Sequence, residues 1–138
     1  MVTILKLQRS HCGRGGIHRP GSDLSVSFVF ENKLRGRITF YISPRLADRM
    51  NVKLGMRVSA EFDNATNRLR VKIDEQAGNL LRGHNHGRGD FLVSFSVKRE
   101  DALNVGFSER IPRYFSLVGV DGGVAVFSET GVEATNGR

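Results

Sequence analysis

The chain has 138 residues, of which 39% are apolar, and it carries a formal net charge of +7 at pH 7. This length and apolar content allow one ordinary domain with a buried core. No apolar run approaches the roughly 20 residues needed to cross a bilayer, and the first residues lack the long apolar region of a signal peptide. The single cysteine, Cys12, excludes an internal disulfide and fits a reducing compartment. We therefore expect a cytoplasmic protein.

Two strands are predicted in the first 30 residues. Residues 2–7 form a short apolar segment, and residues 10–23 form a glycine-rich loop whose composition disfavours regular structure. In the next segment Leu24, Val26, Phe28 and Phe30 alternate with smaller residues, which predicts a strand with these four side chains on its core face.

A strand followed by a short helix is predicted next. Apolar residues alternate over residues 38–42, as in a half-buried strand. Ser43 offers an N-cap hydroxyl and Pro44 suits the first helical position, so we expect a helix to begin there. Leu46 and Met50 lie four residues apart, which places both on the apolar side of this helix.

A β-hairpin is predicted after the loop that ends at Gly55. Residues 58–62 and residues 69–73 both alternate between apolar and polar side chains. The polar residues 63–67 between them are typical of a turn. Residues 37–73 therefore predict the order strand, short helix, loop, hairpin.

A second half of the chain repeats part of this pattern. Residues 76–89 form another loop rich in Gly, Arg and His, and residues 91–97 alternate as a strand. The following residues align with the helix and hairpin of the first half, and Val124 and Val126 match Leu69 and Val71 in this alignment. This indicates a degenerate internal repeat with halves at residues 36–74 and 90–128, although two unrelated β-rich halves would also align this well. We expect one domain over residues 1–129 and a disordered tail from residue 130 to 138.

The short alternating segments predict an all-β protein, a β-rich barrel with one or two short helices. The motifs Ile42-Ser43-Pro44-Arg45-Leu46, Met50-Asn51-Val52 and Leu54-Gly55-Met56-Arg57-Val58, followed by the hairpin to Ile73, resemble the swapped-hairpin DNA-binding domains of the AbrB, SpoVT and MazE type. The resemblance covers residues 37–73, with a degenerate second copy over residues 91–127. It implies a swapped-hairpin barrel that binds DNA. The chain is then either a homodimer, as in the family, or a monomeric pseudo-dimer in which an internal duplication supplies both halves.

The positive charge is concentrated in the same region. Residues 33–72 contain ten basic residues and three acidic ones, and such a concentration favours phosphate-rich partners. The alternative is an ordinary solvated surface. For Arg57 we expect instead a cross-strand ion pair with Glu61 or Asp63. The candidate nucleic-acid-binding residues are Arg35, Arg37, Arg45, Arg49, Lys53, Arg68, Arg70 and Lys72, and the glycine loops add secondary contacts from Arg14, Arg19, Arg82 and Arg88.

Catalytic and metal sites are not predicted. His11, His18, His84 and His86 lie in the glycine loops, with Cys12 beside the first, but their spacing matches no paired zinc-ligand pattern. No nucleophile adjoins a base, no phosphate-binding Walker loop is present, and no pair of carboxylates stands in a constrained setting. We expect no enzyme activity, no cofactor and no metal.

The favoured function is non-catalytic binding of double-stranded DNA by a transcriptional regulator or antitoxin-like repressor. One alternative is a binder of RNA or single-stranded DNA that uses the Gly/Arg loops and stacks bases on Tyr41 and Tyr114. Another is a small phage or mobile-element protein whose basic surface binds an acidic host protein.

Overall fold

The computed structural model describes residues 4–7, 24–73, 76–84 and 88–130. This part of the chain contains ten strands and two short helices, which confirms the predicted all-β architecture with short helices. The strands are β1 (Ile4–Leu7), β2 (Leu24–Phe30), β3 (Arg35–Ile42), β4 (Arg57–Asp63), β5 (Arg68–Ile73), β6 (Asn79–Leu80), β7 (Arg82–His84), β8 (Asp90–Lys98), β9 (Arg113–Asp121) and β10 (Val124–Glu129). The helices are α1 (Pro44–Met50) and α2 (Arg99–Asn104).

One antiparallel sheet curls into a half-barrel. The strand order is β1-β4-β5-β10-β9-β2-β3-β8-β7, and β6 pairs with β4. The side-chain amide of Asn79 on β6 also donates a hydrogen bond to the Ser94 carbonyl of β8. Residues 79–84 therefore connect β4 with β8, two strands that are distant in the strand order, and the sheet wraps around a single core.

Alternation along the strands places large apolar side chains in that core. Phe40 on β3 packs against Phe95 on β8 with ring centroids 5.1 Å apart. Phe62 on β4 meets Phe115 on β9 edge to face, with centroids 5.9 Å apart. Rings from opposite sides of the curled sheet therefore pack into one aromatic core. Burial of such large apolar rings contributes strongly to the stability of the fold.

The first half of the chain folds as its sequence predicts. β2 spans the predicted residues, with Phe30 only half-buried against the core. Ser43 caps α1, because its hydroxyl accepts a hydrogen bond from the Leu46 amide at 3.2 Å, and Pro44 is the first helical residue. The predicted hairpin is β4 and β5, and Gly55 before it has a φ of 94°.

The prediction of a loop over residues 76–89 is wrong in part, because β6 and β7 form within it. β6 pairs with the beginning of β4, and β7 pairs with the beginning of β8. These short strands are stabilised by backbone hydrogen bonds to existing strand edges rather than by their own composition, which is rich in Gly and His. Local propensity gives no signal for pairing of this kind.

The order strand, helix, hairpin occurs twice, as β3-α1-β4-β5 and as β8-α2-β9-β10. One detail of the predicted alignment is wrong. Ala125 and Phe127 are the buried residues of β10, whereas Val124 and Val126 lie on its outer face, so they do not correspond to the buried Leu69 and Val71.

An arginine at the start of β9 is enclosed by the core. The Arg113 guanidinium donates two hydrogen bonds to Glu129, at 2.7 and 2.6 Å, and a third to the Val105 carbonyl at 2.8 Å. It also lies 4.7 and 4.6 Å from the ring centroids of Phe62 and Phe107. The carboxylate, the backbone carbonyl and the aromatic rings together stabilise the guanidinium charge, whose burial would otherwise be costly.

The predicted loop over residues 10–23 and residues 131–138 of the predicted tail lie outside the described residues. The prediction of disorder is wrong for Thr130, the first residue of that tail, because its amide donates to the Tyr114 carbonyl at 2.7 Å. Neither α1 nor α2, the helices of the described part, is long and apolar enough to cross a membrane.

Candidate nucleic-acid interface

Three of the predicted basic residues form a row along the outer face of β5. Arg68, Arg70 and Lys72 are all exposed, while Leu69 and Val71 between them are buried. Alternate residues of a strand lie about 7 Å apart on one face. We call these three side chains the β5 row; it forms a straight line of cations on a rigid element.

The neighbouring strand β4 gives each member of the β5 row a different counterpart. Antiparallel partners directly opposite each other share a face of the sheet and lie about 5 Å apart. Among the residues that the structure describes, no ion pair joins the arginines of the row to the carboxylates opposite them. The facing pairs are Arg68 with Asp63, Arg70 with Glu61, and Lys72 with Ser59.

A shallow groove runs between these side chains. It is lined by both arginines of the row, both facing carboxylates, Thr66 from the hairpin turn and Val126 from β10. Glu61 forms an ion pair with Lys6 of β1, whose ammonium lies 3.9 Å away and whose side chain is largely exposed. The groove therefore presents hydrogen-bond donors and acceptors side by side.

A second group of cations lies on α1 and the loop after it. The helix buries Leu46, Ala47 and Met50. Arg45 and Arg49, four residues apart, are exposed on its other side, and Lys53 is exposed in the following loop. The expected basic helix face is thus present, because the apolar side faces the core.

The structure places one loop arginine beside this helix. A Cβ on Gly89 would lie 3.7 Å from the Pro44 side chain, so Arg88, its exposed neighbour in sequence, extends the basic surface around α1. On β7 a Cβ at Gly83 would lie 3.8 Å from Leu54 Cδ1, and alternation along the strand directs the exposed Arg82 to the opposite face. Sequence distance concealed the proximity of Arg88 to α1. The other predicted loop contacts, Arg14 and Arg19, lie outside the described residues.

Arg57 links the helix region with the β5 row. It is the first residue of β4 and lies diagonally across from Lys72. Its guanidinium donates to the Gly78 carbonyl at 3.2 Å, so it meets a backbone oxygen in place of the expected carboxylate. Among the described residues no carboxylate forms an ion pair with Arg57, and its exposed charge adds to the basic surface.

The two predicted arginines on β3 are engaged inside the protein. Arg37 forms an ion pair with Glu31 at 2.7 Å, and both side chains are largely buried, with 21% and 19% exposed. Arg35 donates two hydrogen bonds to the Ser96 hydroxyl, at 3.0 and 3.3 Å. Reaching a DNA groove would require both residues to leave these partners.

A tyrosine and an aspartate are coupled at the β7 side of the sheet. The Tyr41 hydroxyl donates to the buried Asp90 carboxylate at 2.8 Å, and the Tyr41 ring meets His84 edge to face at 5.8 Å. Burial, followed by the hydrogen bond and the charge of Asp90, raises the pKa of Tyr41 to about 12. The phenol therefore stays protonated at neutral pH.

The residues that the structure describes contain no group of three potential metal ligands. His84 is the one histidine among them, and the other predicted loop ligands, His11, Cys12, His18 and His86, lie outside them. Absence of a metal thus stays a prediction.

Comparison with known proteins gives no match: no protein-family model, no curated protein and no solved structure is similar to this chain.

Proposed function

We propose that the protein binds double-stranded DNA without catalysis, as a transcriptional regulator or antitoxin-like repressor. The observation that carries the proposal is the β5 row, which holds three exposed cations on one face of a strand. Within the described part of the chain, neither of its two arginines forms an ion pair with a carboxylate. Cations held in a line at regular spacing suit a phosphate backbone, whose neutralisation releases condensed counterions.

The surface around α1 supplies further phosphate contacts. Arg45, Arg49, Lys53 and Arg88 are all exposed there. Asp48 is the exposed acidic residue of α1. A ligand that spans the helix and the β5 row would meet cations at both ends, and Arg57 lies between them. An extended, rigid polyanion such as duplex DNA fits this arrangement better than a small anion does.

The resemblance of residues 37–73 to swapped-hairpin DNA-binding domains supports the same function. We also propose that the two halves of the chain form a pseudo-dimer. Equivalent strands of the halves pair with each other, β3 with β8 and β5 with β10, and both pairings are antiparallel, as a two-fold axis requires. At the outer positions of β10 stand Val124, Val126 and Ser128, so one half alone carries the cation row. A monomeric chain would then bind a non-palindromic site.

The test is a fluorescence-anisotropy titration of labelled duplex DNA, single-stranded DNA and RNA of equal length at two salt concentrations. We expect tightest binding to the duplex, with an affinity that falls as salt rises. Replacing Arg68, Arg70 and Lys72 by Ala together should weaken binding and flatten the salt slope by about 0.9 for each phosphate that the variant no longer neutralises. Duplex affinity that survives this triple change would remove the β5 row from the interface.

A matched comparison tests the α1 surface. The double variant Arg45→Ala with Arg49→Ala removes two charges beside the proposed site. The double variant Lys33→Ala with Lys98→Ala removes two exposed charges at the opposite end of the β3 and β8 pair. We expect a lower salt slope for the first variant alone. Equal decreases in both would show that only the net charge of the protein matters.

A second candidate function is binding of single-stranded RNA or DNA. Ser25 on β2 lies directly opposite Tyr41 on β3 and directly opposite Tyr114 on β9. The two tyrosines therefore lie in one row across three strands, on the outer face of the sheet. Aromatic side chains in such a row stack unpaired bases. In the same titration this function predicts tighter binding to RNA or single-stranded DNA than to the duplex, and weaker binding of these strands by Tyr114→Ala.

A further inference from the structure

The β5 row contains two kinds of position. Arg70 and Arg68 each face a carboxylate on β4, whereas Lys72 faces the hydroxyl of Ser59. A carboxylate inside a phosphate-binding surface repels the ligand, so these two acidic residues require an explanation.

Contacts within the protein explain these carboxylates only in part. In the described part of the chain, the ion pair that Glu61 forms is with Lys6 at 3.9 Å, and none links Asp63 to the arginine opposite. Both carboxylates and both arginines line the same groove. Asp63 Oδ1 accepts a hydrogen bond from the Ala65 amide at 2.9 Å, which leaves the second carboxylate oxygen of Asp63 for a ligand. The groove therefore offers planar, forked donors beside acceptors.

This pairing matches the major-groove edge of a G·C base pair. Guanine presents two acceptors there, which the arginine fork binds bidentately, and cytosine presents an amino donor, which a carboxylate accepts. We propose that Arg70 with Glu61, and Arg68 with Asp63, read G·C pairs in the major groove. The inference rests on the proposed duplex binding and adds the sequence preference of that same site.

The spacing along the strands agrees with this role. β4 and β5 lie inside the sheet, between β1 and β10, so the outward side chains, and not the strands themselves, enter the major groove, which is about 12 Å wide. The two arginine-carboxylate pairs are separated by two residues along the strand, about 7 Å, which equals about two base-pair steps of roughly 3.4 Å. The expected element is two G·C pairs with one base pair between them. Lys6 and Lys72, outside these pairs, are placed to contact phosphates.

The experiment compares short duplexes that carry this element with either guanine or 7-deazaguanine at the two positions. The replacement removes the N7 acceptor but keeps the charge, the length and Watson–Crick pairing. We expect the protein to bind the guanine duplex at least about fivefold more tightly, the lower end of the effect of one bidentate contact. Arg70→Lys should keep duplex affinity and lower this ratio, because an ammonium lacks the fork, and the double variant Arg68→Lys with Arg70→Lys should abolish it.

The carboxylates are tested separately with a G·C and an A·T version of the element. Glu61→Gln should strengthen binding to both duplexes because it removes a repulsive charge, yet reduce the ratio between them. Asp48→Asn on α1 is the matched control: it removes the same charge near the basic surface, and it should leave the ratio unchanged.

The outcomes are distinguishable. Failure to bind any duplex would overturn the proposed function together with the base readout. Binding that is equal for guanine and 7-deazaguanine would overturn the readout and leave duplex binding intact. A Glu61→Gln variant that changes affinity but not the G·C to A·T ratio would show that the carboxylate only repels phosphate.

Discussion

Arg37 on β3 and Arg70 on β5 occupy equivalent settings in the sequence, since each is an outward residue of an alternating strand, but their environments differ. Arg37 is largely buried and paired with Glu31, whereas Arg70 is exposed and, among the described residues, pairs with no carboxylate. Arg113 on β9 extends the contrast, with 13% of its side chain exposed and hydrogen bonds to Glu129 and the Val105 carbonyl. Basic residues in this protein thus divide into structural and surface groups according to the neighbouring strand.

The largest effect on stability is expected at Glu129, the ion-pair partner of Arg113. Replacing it by Ala leaves the Arg113 guanidinium buried beside aromatic rings without its carboxylate, and we expect the free energy of unfolding to fall by about 3–5 kcal/mol. Denaturant unfolding measures this decrease. The paired change Arg113→Met with Glu129→Leu should recover much of it, because it removes both charges. A decrease below about 1 kcal/mol in Glu129→Ala would show that water or movement relieves the buried charge.

A smaller effect is expected at Tyr41, which binds the buried Asp90 carboxylate. Tyr41→Phe removes a hydrogen bond to a charged group, worth about 1.5–3 kcal/mol. Because the pKa of Tyr41 is raised to about 12 in the folded protein, against 10.0 ordinarily, the folded state holds the proton more tightly. This contribution is therefore complete below the ordinary pKa of 10.0 and disappears as the pH rises towards about 12.

Absorbance of tyrosinate checks this assignment. Titration of the native protein should show a tyrosinate transition at a pH of about 12, and Tyr41→Phe should abolish it. Absence of that transition in the native protein would contradict the buried hydrogen bond.

At Arg37 the expected change is intermediate. Glu31→Gln removes the ion pair from a largely buried site, and we expect about 1–2 kcal/mol of destabilisation, between the values for exposed and fully buried pairs. Thermal unfolding measures the change, and Glu100→Gln on the exposed face of α2 serves as the control. Equal stability of the two variants would place Arg37 with the surface group.

The smallest effect on stability belongs to Arg70. Arg70→Ala alters an exposed side chain, so its unfolding free energy should change by no more than about 0.5 kcal/mol. DNA affinity should nevertheless fall, which separates binding from folding in one variant. Comparable destabilisation in Arg70→Ala and Glu31→Gln would abolish the distinction between the two groups.

Much of the fold was predictable because its signals are local. The alternation over residues 24–30, the Ser43 cap with Pro44, and the hairpin that turns between Asp63 and Arg68 all depend on residues close in sequence. The exposed β5 row was predictable for the same reason. β6 and β7 were not, because glycine-rich segments become strands only where a neighbouring edge offers hydrogen bonds.

The sequence by itself determined the β-rich class, the short helices and the concentration of charge in residues 33–72, since each depends on residue order and composition. Only the tertiary structure decided which cations are available. Glu31 and Ser96 bind the arginines of β3, the segment at Gly89 brings Arg88 beside α1, and β4 sets carboxylates opposite two members of the β5 row. These partners come from distant parts of the chain or from strand register, and the physical environment of an arginine is set by those neighbours.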